Sequence, residues 1–369
     1  MIFRTEKDDD KAQVKALWKL CFDDTDKFTD WFFSERWKPE YGVVAEENGK
    51  ITAAMQGWHY ALSIRGKKLP AVMLAGVCTH PDYRGRGLMP QCLSLFMQNA
   101  RDRGELIVFH TPARHPTFFK CLHYSASDTA FVKYEADVAG ECRAKIEDAS
   151  DAFAEKLIDC YTKNLAEYCS AVCRNIDDMR LKLRDYASSD AKLVYIEESG
   201  KITAYVLCMC DNESMTAEEF CAPNNQCRDA LLSTLAYLGK NRSHTIKLPP
   251  SLTNNLPHGF TFQTAPTGVM GAANISELMR IIAGFDDITV EVTDHSLPLN
   301  AAKYTFNGNA FSGDCDIIID SGRLLQFLIG YYSMSELAES GLCQVNRPQI
   351  TEKLDSLLPK TECYVVEEY

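Results

Sequence analysis

Residues 77–89, VCTHPDYRGRGLM, decide how this chain is read. Apolar strand residues run through a turn at Pro81-Asp82-Tyr83 into Arg84-Gly85-Arg86-Gly87, and an amphipathic helix follows at once. A pyrophosphate needs unpaired backbone N–H groups at a helix start, glycines that let the backbone come close, and fixed positive charge nearby. Arg84, Gly85, Arg86 and Gly87 supply all three, so the stretch reads as a phosphate cradle. The spacing predicts a helix from Leu88 to Arg103, with Leu88, Cys92, Leu95 and Phe96 on one stripe and Gly104 at the residue that ends it. The glycines match neither the dinucleotide G-x-G-x-x-G nor the nucleotide-triphosphatase G-x-x-x-x-G-K-[ST] pattern, because no Lys-Ser or Lys-Thr follows.

The whole chain narrows the class. With 369 residues, 46% hydrophobic and 24% charged, it holds two or three domains of an ordinary globular protein. A net charge of −12 argues against nucleic-acid partners, which need an excess of Lys and Arg, and would attract a cationic amine. The stretch Met1-Ile2-Phe3-Arg4-Thr5-Glu6 has neither the basic start nor the apolar run of a secretion signal. Nor is there an apolar run of about 18 residues, so a cytoplasmic protein with no membrane partner is expected. Fifteen cysteines, an odd number, fall in apolar segments and read as buried free thiols. Cys169/Cys173, Cys208/Cys210 and Cys221/Cys227 lack second ligand pairs, so no metal site is expected.

Working outward, Val14, Leu17, Trp18, Cys21 and Phe22 predict a helix, and Phe28, Trp31 and Phe32 a second. A hairpin is predicted at Asn48-Gly49, with further strands through His59–Arg65, Ala71–Thr79 and Leu106–Thr111. The hairpin then recurs: VVAEENGKITA at 43–53 is echoed by VYIEESGKITA at 194–204, each preceded by a helical stretch. This reads as a second copy of the first domain. Where its glycine loop would fall stands Phe220-Cys221-Ala222-Pro223-Asn224-Asn225-Gln226, with no Gly or Arg, so the copy is expected to bind no cofactor. A third region opens with a helix capped by Asn274 and Glu277 and continues through strands at Ile288–Val292 and Cys315–Ile319 to a helix carrying Leu324, Leu325, Phe327 and Leu328.

Arg84-Gly85-Arg86-Gly87-Leu88-Met89 resembles the acetyl-CoA loop of the GNAT superfamily of acyltransferases, with Met in the final place. The resemblance implies that Val77, Cys78 and Thr79 form an unpaired strand end along the pantetheine arm, with the Val77 N–H toward the thioester oxygen. It also implies pyrophosphate on the amides of Gly85 to Met89 beside Arg84 and Arg86, and Thr111 on the arm. Phe118 to Tyr124 resembles the family's F-Y-x-x-x-G-F segment with Phe119 in place of its acid tyrosine. That leaves Tyr124, His123, His115 or water to protonate the thiolate, or else signals weakened activity.

One active copy, one silent copy and an α+β tail together resemble the Eis-type (enhanced intracellular survival) acetyltransferases over the whole chain. The tail resembles a sterol-carrier protein, on Asp316-Ile317-Ile318-Ile319-Asp320, Leu324-x-x-Phe327-x-x-Gly330 and Leu297-Pro298-Leu299-Asn300. The implied fold is α+β, with tandem GNAT-like mixed-sheet domains at 1–140 and 141–265 and a sterol-carrier-like domain at 266–369. The implied function is transfer of acetyl from acetyl-CoA to a primary amine of a small cationic molecule, directly in a ternary complex, by a homo-oligomer. In such enzymes the terminal carboxylate, here on Tyr369, enters the pocket as a base. Glu46, Glu47, Asp82, Glu367 and Glu368 read as solvated charges, and His59 as a residue of a pocket-side strand. The rival is a non-catalytic acyl-CoA or lipid-binding module.

Overall fold

The computed structural model describes residues 1–111 and 116–367. His115 and Tyr369, candidates from the sequence, lie outside the described residues. Chain order runs β1 (Ile2–Thr5), α1 (Lys11–Cys21), α2 (Asp26–Trp31), β2 (Val43–Glu47), β3 (Lys50–Ile64), β4 (Lys67–Thr79), α3 (Leu88–Asp102), β5 (Ile107–His110), α4 (Pro116–Lys120) and β6 (Tyr124–Tyr134). It continues with β7 (Lys145–Asp148), α5 (Ala154–Asn164), α6 (Ile176–Ser188), β8 (Lys192–Glu198), β9 (Lys201–Cys210), β10 (Ser214–Cys221), α7 (Asn225–Leu238), β11 (Ser243–Leu248) and β12 (Phe260–Ala272). The final region holds α8 (Ile275–Ile282), β13 (Thr289–Thr293), β14 (Ala302–Thr305), β15 (Ile317–Asp320), α9 (Ser321–Ile329), α10 (Met334–Glu339), β16 (Cys343–Val345) and α11 (Ile350–Leu357).

The echoed sequence makes echoed structure. Asn48-Gly49 and Ser199-Gly200 turn their hairpins with positive φ at both residues (53° and 78°, 51° and 78°), the backbone a tight two-residue hairpin turn requires. Each hairpin carries its register shift at the corresponding place, after Ala45 in one and after Ile196 in the other. The correspondence continues through β4–α3–β5 and β10–α7–β11, where each strand pair is parallel.

β1 to β12 form one twelve-stranded sheet in the order β1-β2-β3-β4-β5-β12-β6-β11-β10-β9-β8-β7. Its centre shows an exchange: β6, which follows the first copy, pairs with β11 of the second, and β12, which follows the second, pairs with β5 of the first. β6 and β12 then zip against each other from Tyr134–Phe260 to Tyr124–Met270. The division expected at residue 265 therefore falls inside β12.

The third region packs its helices on a four-stranded sheet, β14-β13-β15-β16. Its core, with Phe306, Leu324 and Phe327 wholly buried, is continuous with that of the first copy. Arg65, at the tip of the β3–β4 hairpin, fastens the two: its guanidinium donates to the carbonyls of Phe327, Leu328, Leu358 and Pro359 at 2.7–3.4 Å, capping the ends of α9 and α11. The architecture is the α+β arrangement expected. Among the described residues no helix is long and apolar enough to cross a membrane.

Candidate active site

β4 and β5 run side by side only from Ala71–Ile107 to Met73–Phe109, and then part. Beyond that point β5 stays paired with β12 through His110, while β4 stays paired with β3, so both are held as they diverge. The edge of β4 from Leu74 to Val77 faces an opening toward His110 and Thr111. That opening is the floor of a cleft of about 710 Å³, within the range of small-molecule sites.

The loop expected to cradle phosphate closes the upper end of β4. Gly85 and Gly87 sit at φ 76° and 72°, where an L side chain is strained, and a Cβ added at either would project into open space. Gly87 starts α3 with no side chain capping the first turn, which leaves the first amides for a ligand. Leu88, Cys92 and Phe96 bury the inner face of the helix, and Gly104 follows its end at φ 87°. Arg84 donates from Nε to the Thr79 carbonyl at 3.1 Å, and Arg86 bonds the Asp82 carbonyl at 2.9 Å and stacks on Tyr83. The corresponding helix of the second copy begins differently: the Asn224 side chain caps α7 by accepting from the Cys227 N–H at 2.9 Å. The second copy thus fills with its own side chain the place that the first leaves vacant.

The cleft's walls come from both copies. Trp18, Phe22 and Phe28 make an aromatic side, while Asp185, Tyr186 and Ser189 of the α6 region face it, with Glu218, Lys247 and Lys182 toward one end. Asp24 accepts from Trp18 Nε1 at 2.7 Å, which fixes its carboxylate at the aromatic side. Glu218 pairs with Lys247, and Lys182 with Glu367, so those lysines bring their own counter-charges.

Glu367, expected in solvent, is wholly buried. Its carboxylate takes Arg174 Nε at 2.7 Å and Lys182 Nζ at 3.0 Å, and Arg174 in turn makes a two-point bond to Glu219 at 2.7 and 2.9 Å. Burial opposes ionisation of Glu367, but Arg174, Lys182 and Arg36 overcome it and hold its carboxyl down at about 2. Tyr364, Val365 and Val366 are buried beside it, so the last described segment lies between the two copies, one side chain from the cleft.

Of the other sequence candidates, Val77 and Thr111 line the cleft, and Cys78 faces the core at 6% exposure. Tyr124 does not reach the cleft. Its hydroxyl points at Asp320, 3.5 Å away, and its ring lies under Arg323, because the β6 residue that starts the exchanged strand faces the third region. It is therefore not placed to protonate a thiolate in the opening. His59 lies against Glu105 at 3.3 Å, outside the cleft. Sequence reasoning missed His110, Asp24 and Asp185. His110 carried a signal, a lone polar residue ending the apolar run Ile107-Val108-Phe109; the two aspartates carried none, since only the tertiary fold turns them toward one space.

Residues 3–125 match the model of the acetyltransferase (GNAT) domain, and residues 280–366 that of the sterol carrier protein domain. The first unit is a GNAT acetyltransferase domain. The GNAT domain and the sterol-carrier domain occupy the two ends of a chain whose entire fold recurs in solved structures. A probable N-acyltransferase from Enterococcus faecalis V583 is 15% identical with TM-score 0.82, covering 100% of this chain and 99% of its own. A GCN5-related N-acetyltransferase from Anabaena variabilis is 14% identical with TM-score 0.81, and Eis1 from Mycobacterium abscessus 15% identical with TM-score 0.77, each covering 100% of both chains. At such identities the likeness is one of fold, and it is the three-part Eis-type fold. By sequence, no curated protein matches. GNAT domains use acetyl-CoA as acyl donor, and acetyl transfer is the chemistry of this one. Among the described residues no group of three or more His, Cys, Asp or Glu is placed to hold a metal ion.

Proposed function

We propose that the protein is an acetyl-CoA-dependent N-acetyltransferase that modifies a primary amine of a small cationic acceptor by direct transfer in a ternary complex. The observation that carries this reading is the parting of β4 and β5 above an uncapped α3 and beneath a cleft bearing Asp24 and Asp185. In it, the pyrophosphate lies on the amides of Gly85, Arg86, Gly87, Leu88 and Met89, with the Arg84 and Arg86 guanidinium groups turning to its oxygens. The pantetheine arm extends along Val77, Cys78 and Thr79, with Thr111 opposite. The Val77 N–H faces the thioester oxygen, where negative charge develops as the amine attacks.

The acceptor enters between the aromatic wall and α6. Its ammonium groups are drawn by Asp24 and Asp185, in a cleft whose two lysines are already paired with glutamates. For the base, we assign the Tyr369 carboxylate, two peptide units beyond Glu367, acting directly or through water. Its support is the clamp on Glu367, which brings the segment to the cleft wall at Lys182. Assembly into a homo-oligomer belongs to the same reading.

The test mixes protein, acetyl-CoA and a panel of polyamines and aminoglycosides and follows free thiol. Release of CoA that depends on the amine, with intersecting initial-rate plots when both substrates are varied, is the expected result. Acetyl-CoA binding with no turnover on any amine would replace the enzyme with the non-catalytic acyl-CoA-binding module, which Phe119 in place of a tyrosine specifically favours.

A further inference from the structure

Acetyl transfer, on the reading above, ends with a thiolate that must gain a proton and an amine nitrogen that must lose one. Phe119 has no proton to give and is 45% exposed, and Tyr124 is engaged with Asp320. The cleft offers another group. His110, the last residue of β5, lines the opening at 3% exposure. Its Nδ1 lies 3.1 Å from the Thr111 carbonyl, which can only accept, so Nδ1 carries the hydrogen and Nε2 presents a lone pair. That Nε2 is buried and has no hydrogen-bond partner among the described residues.

A second imidazole stands behind it. His123 is wholly buried with its ring centre 5.5 Å from that of His110, and among the described residues neither of its ring nitrogens has a hydrogen-bond partner. It stands where the segment Phe118–Tyr124 otherwise resembles a motif with glycine. Gly271 of β12 makes the room, since a Cβ there would come within 2.4 Å of the His123 ring. Leaving a buried polar group unpaired is destabilising, and an apolar ring in either place would avoid it. Two such costs side by side at the parting of β4 and β5 mark a group awaiting a partner.

We infer that His110, backed by His123, carries the proton from the attacking amine to the departing sulfur of coenzyme A. Once the terminal carboxylate assigned above has taken the ammonium proton, the neutral amine bonds to the thioester carbon, and the C–S bond breaks with its electron pair going to sulfur. The now positive nitrogen gives a proton to His110 Nε2, and the imidazolium passes it to the thiolate. One C–N bond forms, one C–S bond breaks, and one proton moves from nitrogen to sulfur, with no other reactant. Burial keeps both rings neutral near pH 7, with His110 pushed down to about 4 and His123 well below its ordinary value. The accepting form is thus the resting one, and its conjugate acid is strong enough to protonate a thiolate. His123 is a positioning residue, filling the space behind His110 with a polarisable ring.

The experiment uses the full chain with acetyl-CoA and whichever amine the wild type turns over. His110→Phe and His110→Ala are expected to keep the thermal stabilisation given by saturating acetyl-CoA while kcat falls about 100-fold or more. Added imidazole should restore part of the rate in His110→Ala and none in His110→Phe, a response that a merely structural residue would not give. His123→Phe should lower kcat less, and the His110→Phe/His123→Phe double variant should be no slower than His110→Phe alone. A His110→Phe enzyme within twofold of wild-type kcat overturns the inference while leaving acetyl transfer intact. Absence of any turnover by the wild type overturns both.

Discussion

Glu6 is buried at 5% exposure with Gln56 Nε2 at 2.5 Å, Trp37 Nε1 at 2.9 Å and, among the described residues, no bonded cation. Burial is the main reason its carboxyl is pushed up to about 8, from an ordinary value of 4.5. The sign follows from linkage. The unfolded chain ionises near 4.5 and the folded one near 8, so the stability this carboxyl contributes is complete below about pH 4.5 and is lost as pH rises through 8. Glu6→Gln keeps the shape and removes the charge. It should match wild type near pH 4.5, gain steadily above it, and level off past pH 8 at about 1–3 kcal/mol more stable. Melting temperatures at pH 4.5, 6, 8 and 9 check this, and a constant difference across the series would refute it. Asp24 gives a second residue-scale prediction. Asp24→Asn keeps an acceptor for Trp18 Nε1 but loses the charge, so kcat/KM for a polycationic amine should fall about tenfold, the cost of roughly 1.5 kcal/mol in a charged hydrogen bond. The fall should shrink in high salt, and steady-state kinetics at two ionic strengths would read it.

At the scale of the element, the α3 loop and the Arg65 hairpin carry the predictions. Arg84→Ala with Gly87→Glu places a carboxylate over the first amides of α3 and removes a guanidinium. Acetyl-CoA at a hundredfold excess over Kd, which stabilises a binding-competent protein by about 2.7 kcal/mol, should no longer raise the melting temperature, whereas an undiminished rise would move the donor elsewhere. Arg65→Ala should cost about 2–3 kcal/mol, because four carbonyls at two helix ends lose one half-buried charged donor. Chemical denaturation would measure it, and a loss under 0.5 kcal/mol would show that apolar packing alone holds the third region. These elements were also the legible ones. Asn48-Gly49 and Ser199-Gly200 dictate their turns through local backbone preference, and the Arg84–Gly87 loop announces itself because only glycine tolerates its φ values cheaply. Glu367 was misread for the opposite reason: nothing near it in sequence supplies Arg174 or Lys182, which arrive from α6 and the loop before it. Trp18, a core residue by helical spacing, also borders the cleft and orients Asp24, a double duty that periodicity cannot express.

Across the whole molecule, the exchange of β6 and β12 sets what can exist alone. A fragment of residues 1–140 lacks β12, so β5 keeps only β4 beside it and β6 loses both partners, β11 and β12. Such a fragment should be insoluble or lack cooperative unfolding, and coexpression with residues 141–369 should rescue both; circular dichroism melts and gel filtration would decide. The exchange was illegible because strand pairing between residues more than a hundred positions apart leaves no periodic mark, whereas the hairpin repeat that preceded it did.

In the second copy the Asn224 cap occupies the first turn of α7, yet β11 grips β6 and β12 threads back beside β5. A duplicate in this position is not free to decay. Changes inside it or in its loop leave the pairing intact, but changes at the edges that hold the exchanged strands reach the first copy as well. The two halves are therefore coupled by hydrogen bonds, and deleting the second would undo the sheet of the first.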